Sequence, residues 1–277
     1  MFEEKFEVSD VWHKISNLQS AKTFQVFFKM ACVSNKASDI TVNLNIKDIT
    51  PASINLVIAT LKQSLLPIFL CLLLGRPGYY LRKEKNAQIF LAEVLKLKTL
   101  IALDLTGCHI SAQGAQLLAK YLLKNKKLRH LDISNNKLGK GTRDICQSLL
   151  AHPAINFTDF SSNGIVQNQD ANALLTLIKQ SSRITTLWLG NNPRMSGQLF
   201  DKVSHYVKRN QDIYRYRYQR TLSNYIADNV ALIVIGYLQK ERPTDFAKQS
   251  TALIKKKYGE IEPYPSYMSQ KSLCFIL

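Results

Sequence analysis

Three residues at alternate positions, His130, Asp132 and Ser134, are of the types that form a hydrolytic triad, in which histidine deprotonates serine and aspartate orients the histidine. On a β-strand, residues two apart stand about 6.6 Å from each other, which is too far for direct proton transfer. The same pair of an acid and a hydroxyl residue recurs at Asp104/Thr106 and Asp159/Ser161. A recurring pair indicates a repeated structural template, so we expect no catalytic residues.

The cysteines and histidines do not have the spacing of a metal site. Five cysteines are scattered along the chain without a C-x-x-C pair, and the five histidines show no ligand spacing. The sequence also lacks the glycine-rich phosphate-binding loops of nucleotide enzymes. We therefore expect no metal and no cofactor, and the odd number of cysteines favours a reducing compartment.

The last four residues, Cys274 to Leu277, match a C-a-a-X box ending in leucine, which is read as a geranylgeranylation signal. Residues 259–277 are polar and rich in turn formers, as a flexible spacer requires. One lipid chain anchors weakly, and a second, electrostatic signal would come from nearby lysines. These are Lys255, Lys256, Lys257 and Lys271. The sequence therefore predicts lipidation of Cys274.

Composition indicates a folded, strongly basic chain. It has 277 residues, of which 46% are apolar and 21% charged, with a formal net charge of +17. Such a charge favours acidic neighbours without choosing among membranes, nucleic acid and protein. The acidic start at residues 1–7 does not resemble a signal peptide, and the two longest apolar runs are too short to span a membrane.

An internal repeat predicts the architecture. The frame L-x-x-L-x-L-x-x-N/C-x-L begins at Leu100, Leu128, Ile155 and Ile184, with intervals of 27 to 29 residues. Alternation within each strand directs Leu103 and Leu105 into the core, and apolar residues spaced by three and four predict a helix after each strand. Weaker copies begin near Asp39, Pro67 and Ile213.

This pattern resembles leucine-rich repeat proteins of the ribonuclease-inhibitor type. The resemblance implies an α/β fold, a right-handed β-α solenoid with helical caps, and a buried ladder of Asn136, Asn163 and Asn192. We predict four segments: an N-terminal helical cap at 1–38, the repeat domain at 39–240, a C-terminal capping helix at 241–258 and a flexible tail at 259–277. Thr50 and Pro51 predict the start of a helix.

The outward positions of successive strands predict a partner-binding concave face. Asp104, Asp132 and Asp159 would stack on adjacent strands, flanked by aromatic and basic residues. The flanking residues are His130, Phe157, Trp188, Arg215 and Arg217. Tryptophan and arginine are enriched at interface hot spots, so a protein partner is expected here, although the repeat template itself also favours aspartate. We do not expect a nucleic acid partner, because no nucleic-acid module is recognised and the acids would repel phosphate.

The Lys-, Asn-, Ile- and Gln-rich composition and the C-terminal tail resemble effectors that Legionella-type bacteria deliver by type IV secretion. This resemblance implies a virulence protein acting in the host cytoplasm or on the cytoplasmic face of host membranes. We expect a non-catalytic protein-binding module whose partner is a host protein or another effector. Two alternatives stay open: stoichiometric inhibition of a partner enzyme, and an adaptor role in host ubiquitination.

Overall fold

The computed structural model describes residues 13–15, 18–33, 40–46, 50–73, 85–165, 169–192 and 195–223. The chain divides into two compact units, Met1–Ser204 and His205–Leu277. The strands are β1 His13–Ile15, β2 Ile40–Ile46, β3 Ile68–Leu73, β4 Leu100–Asp104, β5 His130–Asp132, β6 Phe157–Asp159 and β7 Thr186–Trp188. The helices are α1 Leu18–Val33, α2 Pro51–Leu61, α3 Lys85–Val94, α4 Ala112–Leu122, α5 Thr142–Ala151, α6 Gln169–Gln180 and α7 Gly197–Ser223.

The seven strands of the described residues form one parallel sheet in the order β1 to β7, so that each strand pairs with the next strand in the sequence. A helix follows each strand, which is the alternation that the repeat predicts. The inward leucines of the frame, Leu103 and Leu105, are 1% and 0% exposed. Each helix packs one stripe of apolar side chains against the sheet, and Leu118 and Leu122 are the buried examples on α4. The fold is an α/β leucine-rich repeat solenoid, as the sequence predicts.

The asparagine ladder is present and joins consecutive repeats. Asn136 donates from Nδ2 to the carbonyl oxygen of Leu105 at 3.0 Å, and its Oδ1 accepts from the N–H of Ile110 at 2.8 Å. Asn163 and Asn192 likewise donate from Nδ2 to the carbonyl oxygens of Ile133 and Phe160 in the repeats before them. All three asparagines are buried, so these bonds pair backbone groups that water cannot reach.

Local signals place the helix starts. Thr50 is the N-cap of α2 and its hydroxyl accepts from the N–H of Ser53 at 3.2 Å, with Pro51 in the first turn, as predicted. Ser111 caps α4 in the same way through the N–H of Gly114. Within the described part of the chain, no helix is both long enough and apolar enough to cross a membrane.

The N-terminal cap differs from the prediction of a helix alone. Residues 13–15 form β1, which pairs in parallel with Leu44 to Ile46 of β2, and the helix begins only at Leu18. The strand supplies backbone partners to the edge of β2, which a helix could not do. The N-terminal cap is therefore itself a strand–helix unit.

The predicted last repeat at Ile213 is wrong. Residues 197–223 form the single helix α7, and no Gly or Pro interrupts it after Gly197. Asn210, Ile213 and Tyr216 are buried at intervals of three residues, which is helical rather than strand periodicity. The capping helix predicted at 241–258 and the tail predicted at 259–277 lie outside the described residues.

Candidate partner-binding face

The register of the sheet aligns the predicted surface residues in rows. Asp104 lies opposite Asp132, Asp132 opposite Asp159, and Asp159 opposite Trp188. Two residues earlier on the same face, His130 pairs with Phe157. We call Asp104, Asp132 and Asp159 the acidic row, and His130, Phe157 and Trp188 the aromatic cluster.

Each aspartate of the acidic row also caps the turn after its strand. The Oδ1 atoms accept from the N–H two residues later, at 2.8 Å for Asp104, 2.9 Å for Asp132 and 2.7 Å for Asp159. Asp159 is only 6% exposed, whereas Asp104 and Asp132 are half-buried. The row is thus part of the repeat architecture, and its accessible charge lies on Asp104 and Asp132.

The aromatic cluster is continuous across three strands. The rings of His130 and Phe157 stack with centroids 3.6 Å apart, and Trp188 meets Phe157 edge-on at 5.1 Å. Trp188 is 55% exposed, although it is the largest side chain on this face. Stacking and edge-to-face contact hold the rings in place, so the cluster presents a fixed apolar surface.

The surroundings of His130 favour its neutral form. Partial burial lowers the pKa of the imidazole below its ordinary value, although the carboxylates of Asp132 and Asp104 act in the opposite direction. Ser134 is engaged elsewhere, because its N–H binds Asp132 and its hydroxyl pairs with that of Thr106 at 3.2 Å. The face therefore offers an aromatic surface next to acids.

Sequence reasoning missed Cys71 of β3. Cys71 lies opposite Asp104 in the register, and its Sγ donates to Oδ2 of Asp104 at 3.2 Å. Burial and the nearby carboxylate both raise the pKa of Cys71 above its usual range, so the sulfur stays a protonated thiol. The alternation of Leu70 and Leu72 could have placed it on this face.

The structure does not place the predicted basic residues on the sheet. The segment that carries Arg215 and Arg217 is helical, so both residues lie on α7, in the second unit. Both side chains are half-buried. Their assignment to the strand face is therefore wrong. Cys274 and the lysines of the tail lie outside the described residues, so their roles stay predictions. The described residues contain no group of three or more His, Cys, Asp or Glu side chains that could hold a metal ion.

Comparison with known proteins finds leucine-rich repeats in the same region. The family model described as Leucine Rich repeat matches residues 96–119 and 124–141, which include β4, β5 and most of α4. The human NACHT, LRR and PYD domains-containing protein 14 is 33% identical over 96 residues, which are 34% of this chain. The match spans only 9% of the length of that relative.

Two solved structures are similar at low sequence identity. The Leiomodin-1 Actin-Binding Site 2 structure has 18% identity and a TM-score of 0.46, covering 50% of this chain and 80% of that one. The C-terminal domain of tropomodulin from Caenorhabditis elegans has 11% identity and a TM-score of 0.38, covering 71% of this chain and 96% of that one.

Proposed function

We propose that this chain is a non-catalytic protein-binding module whose partner docks on the aromatic cluster and the acidic row. The observation that supports the proposal most directly is the 55% exposure of Trp188 at the end of a stack of rings. An exposed tryptophan on a rigid strand leaves a large apolar surface in water, and a partner that covers it gains that burial at little cost in side-chain entropy. The match to leucine-rich repeats agrees with a binding role.

The electrostatics of the face define the chemistry of the partner. The half-buried Asp132 lies one strand from Phe157 and two strands from Trp188, and the half-buried Asp104 lies one strand farther from both. A complementary surface would place an apolar side chain against Trp188 and a lysine or arginine on the two carboxylates. The partner is therefore a protein surface with a basic rim around an apolar centre.

A site-specific crosslink tests this docking surface. A photoreactive phenylalanine analogue at position 188 should crosslink to a partner in host-cell or bacterial extract, whereas the same analogue at Val26, which is 58% exposed on α1, should not. Trp188→Ala should then weaken binding to the identified partner by about 2–4 kcal/mol. Identical crosslinked products from positions 188 and 26 would refute the proposal.

A charge variant separates the two parts of the face. Asp132→Asn keeps an oxygen that accepts from the N–H of Ser134 but removes the negative charge. We expect weaker binding and a shallower dependence of the association rate on salt than in the wild type. Once a partner is identified, loss of its enzymatic activity at one equivalent would indicate an inhibitor, and recruitment of ubiquitin ligase subunits would indicate an adaptor.

We also propose that the protein acts as a secreted bacterial effector in a host cell and is prenylated at Cys274. The support comes from the sequence: the C-a-a-X box, the spacer at 259–277 and the lysines at 255–257 and 271. In eukaryotic cells, Cys274→Ser should abolish labelling by a geranylgeranyl analogue and reduce the membrane-bound fraction of the protein. Labelling that persists in Cys274→Ser would contradict this assignment.

A further inference from the structure

One edge of the first unit collects the loops that lead from each helix into the next strand. Because consecutive strands are parallel neighbours, these loops lie side by side. Hydrogen bonds join them directly: Asn125 donates from Nδ2 to the carbonyl oxygen of Leu97 at 3.1 Å, and Arg183 donates to the carbonyl oxygen of His152 at 2.6 Å. We call this surface the lysine edge. It comprises residues 61–67, 95–99, 120–129, 151–156 and 179–185.

The lysine edge is strongly basic and has no acid of its own. Its five segments contain ten lysine and arginine residues and no aspartate or glutamate. Glu93, in the last turn of α3, forms ion pairs with Lys62 and Lys96. The other cations of the edge are Lys98, Lys120, Lys124, Lys126, Lys127, Arg129, Lys179 and Arg183. All of the lysines and Arg129 are exposed, which gives the edge a positive field that the acidic row on the sheet face does not share.

Helix stabilisation accounts for only part of this charge. A lysine at the C-terminal end of a helix interacts favourably with the helix dipole, as Lys120 does in the last turn of α4. Lys126, Lys127 and Arg129 lie four to seven residues beyond Leu122, the last residue of α4, where the dipole no longer contributes. Their backbone is nevertheless fixed, since Oδ1 of Asn125 accepts from the N–H groups of Lys127 and Leu128 at 2.7 and 2.6 Å. The backbone that carries these cations is therefore fixed, and their charges have no stabilising role in the helix.

Apolar side chains project from the same edge. Leu65, between α2 and β3, is 95% exposed, and Leu123, directly after α4, is 39% exposed. Leu65 follows Lys62 by three residues, and Leu123 directly precedes Lys124. Exposed leucines among lysines form the pattern of a surface that binds anionic headgroups and inserts apolar side chains beneath them.

We propose that the lysine edge docks on an anionic phospholipid membrane. The headgroups would meet Lys98, Lys124, Lys126 and Lys127, and Leu65 and Leu123 would enter the acyl boundary. Nucleic acid fits this edge less well, because neither aromatic ring of the five segments is open to a base: His152 is buried, and the half-buried ring of Tyr121 lies under Lys124 Nζ at 5.1 Å. Docking by the edge leaves the sheet face accessible, so the inference is independent of the protein partner.

Vesicle co-sedimentation of the full, unlipidated chain tests this docking surface. The probes are vesicles of phosphatidylcholine alone and of phosphatidylcholine with phosphatidylserine. The variant is Lys124→Gln/Lys126→Gln/Lys127→Gln, and the matched control is Lys137→Gln/Lys140→Gln/Lys202→Gln, which removes the same charge from exposed lysines elsewhere in the unit. Circular dichroism verifies that both proteins are folded.

We expect the wild type and the control to bind the phosphatidylserine vesicles, and the edge variant to bind them about 100-fold more weakly, because each lysine at an anionic surface contributes about a fivefold factor. Leu65→Ser should weaken binding about tenfold without affecting the fold. Equal binding by the edge variant and the control would overturn the proposal. So would a wild type that binds phosphatidylserine vesicles no better than phosphatidylcholine, or an edge variant that loses binding to an RNA or DNA duplex but not to vesicles.

Discussion

His152 links the stability of the repeat domain to pH. Its side chain is fully buried in the loop between α5 and β6, where Nδ1 accepts from the N–H groups of Ala154 and Ile155 at 3.2 and 3.3 Å. Burial lowers the pKa of His152 to about 4, the nearby backbone of Asn125 opposes this shift, and the cations of Lys126 and Arg183 act in the same direction as burial. The folded protein therefore holds this imidazole neutral.

The sign of the effect follows from the lowered pKa. The unfolded chain, with an ordinary histidine pKa near 6.5, binds a proton more readily than the folded protein, so acid favours unfolding. The contribution of the neutral, buried His152 to the free energy of unfolding is fully present above about pH 6.5 and is lost as the pH falls towards about 4. Between about pH 7 and pH 4.5 the lost contribution to the free energy of unfolding is about 2 kcal/mol.

The repeat itself suggests the test variant. Asn125 occupies the equivalent place in the preceding repeat, where its Oδ1 accepts the same pair of N–H groups, from Lys127 and Leu128. His152→Asn thus keeps both acceptor bonds and removes the titrating group. We expect a loss of about 1 kcal/mol at neutral pH from the smaller side chain, and a gain relative to the wild type in acid.

Urea unfolding followed by circular dichroism at a series of pH values measures the difference between the two proteins. The carboxylates titrate in both proteins, so their contribution cancels in the difference between the two free energies of unfolding. The stability difference between His152→Asn and the wild type should shift by about 2 kcal/mol in favour of the variant between about pH 7 and pH 4.5. A difference that stays constant over this range would refute the assignment of a neutral buried imidazole.

Two further predictions concern the repeat frame. Asn163→Ala should lower the free energy of unfolding by about 1–3 kcal/mol in urea, because the buried carbonyl groups of Ile133 and Phe160 each lose one of two side-chain donors and keep only Asn136 and Asn192. Asn172→Ala, on the exposed face of α6, should change it little. Ser162→Gly should raise the thermal midpoint, since Ser162 has a φ of +56° and glycine relieves about 1 kcal/mol of strain; an unchanged or lower midpoint would count against strain at this turn.

The middle of the solenoid was predictable because three independent signals coincide there. The leucine alternation, the asparagine at the ninth position and the regular interval all mark residues 100–195. β1 was not predicted, because its three residues, His13 to Ile15, are too few to show an alternation of apolar and polar side chains. The strand assignment at Ile213 failed because a short run of apolar residues does not distinguish a strand from a buried helix face.

It was harder to predict which residues lie side by side on neighbouring strands than to predict which residues form each strand. The stack of His130 on Phe157 follows from two regular repeats, and the sequence interval aligns them. Cys71 and Asp104 are separated by 33 residues and by a register shift between Ile68 and Phe69, so the interval alone does not pair them. The lysines cluster at one edge because the strands are parallel and lie in sequence order. Counting charges along the sequence does not show this order.

The direction of the asparagine ladder has a consequence for biosynthesis. Asn136, Asn163 and Asn192 each bond to backbone groups of the repeat before them, 26 to 32 residues earlier in the chain. On the ribosome, the turn of one repeat therefore obtains its last partner only after the next repeat has been translated. Folding must follow translation with a delay of one repeat. A nascent chain that stalls between repeats leaves a backbone N–H without its acceptor at the growing end, as the N–H of Ile110 is until Asn136 is in place, and a chaperone or protease can recognise such an open end.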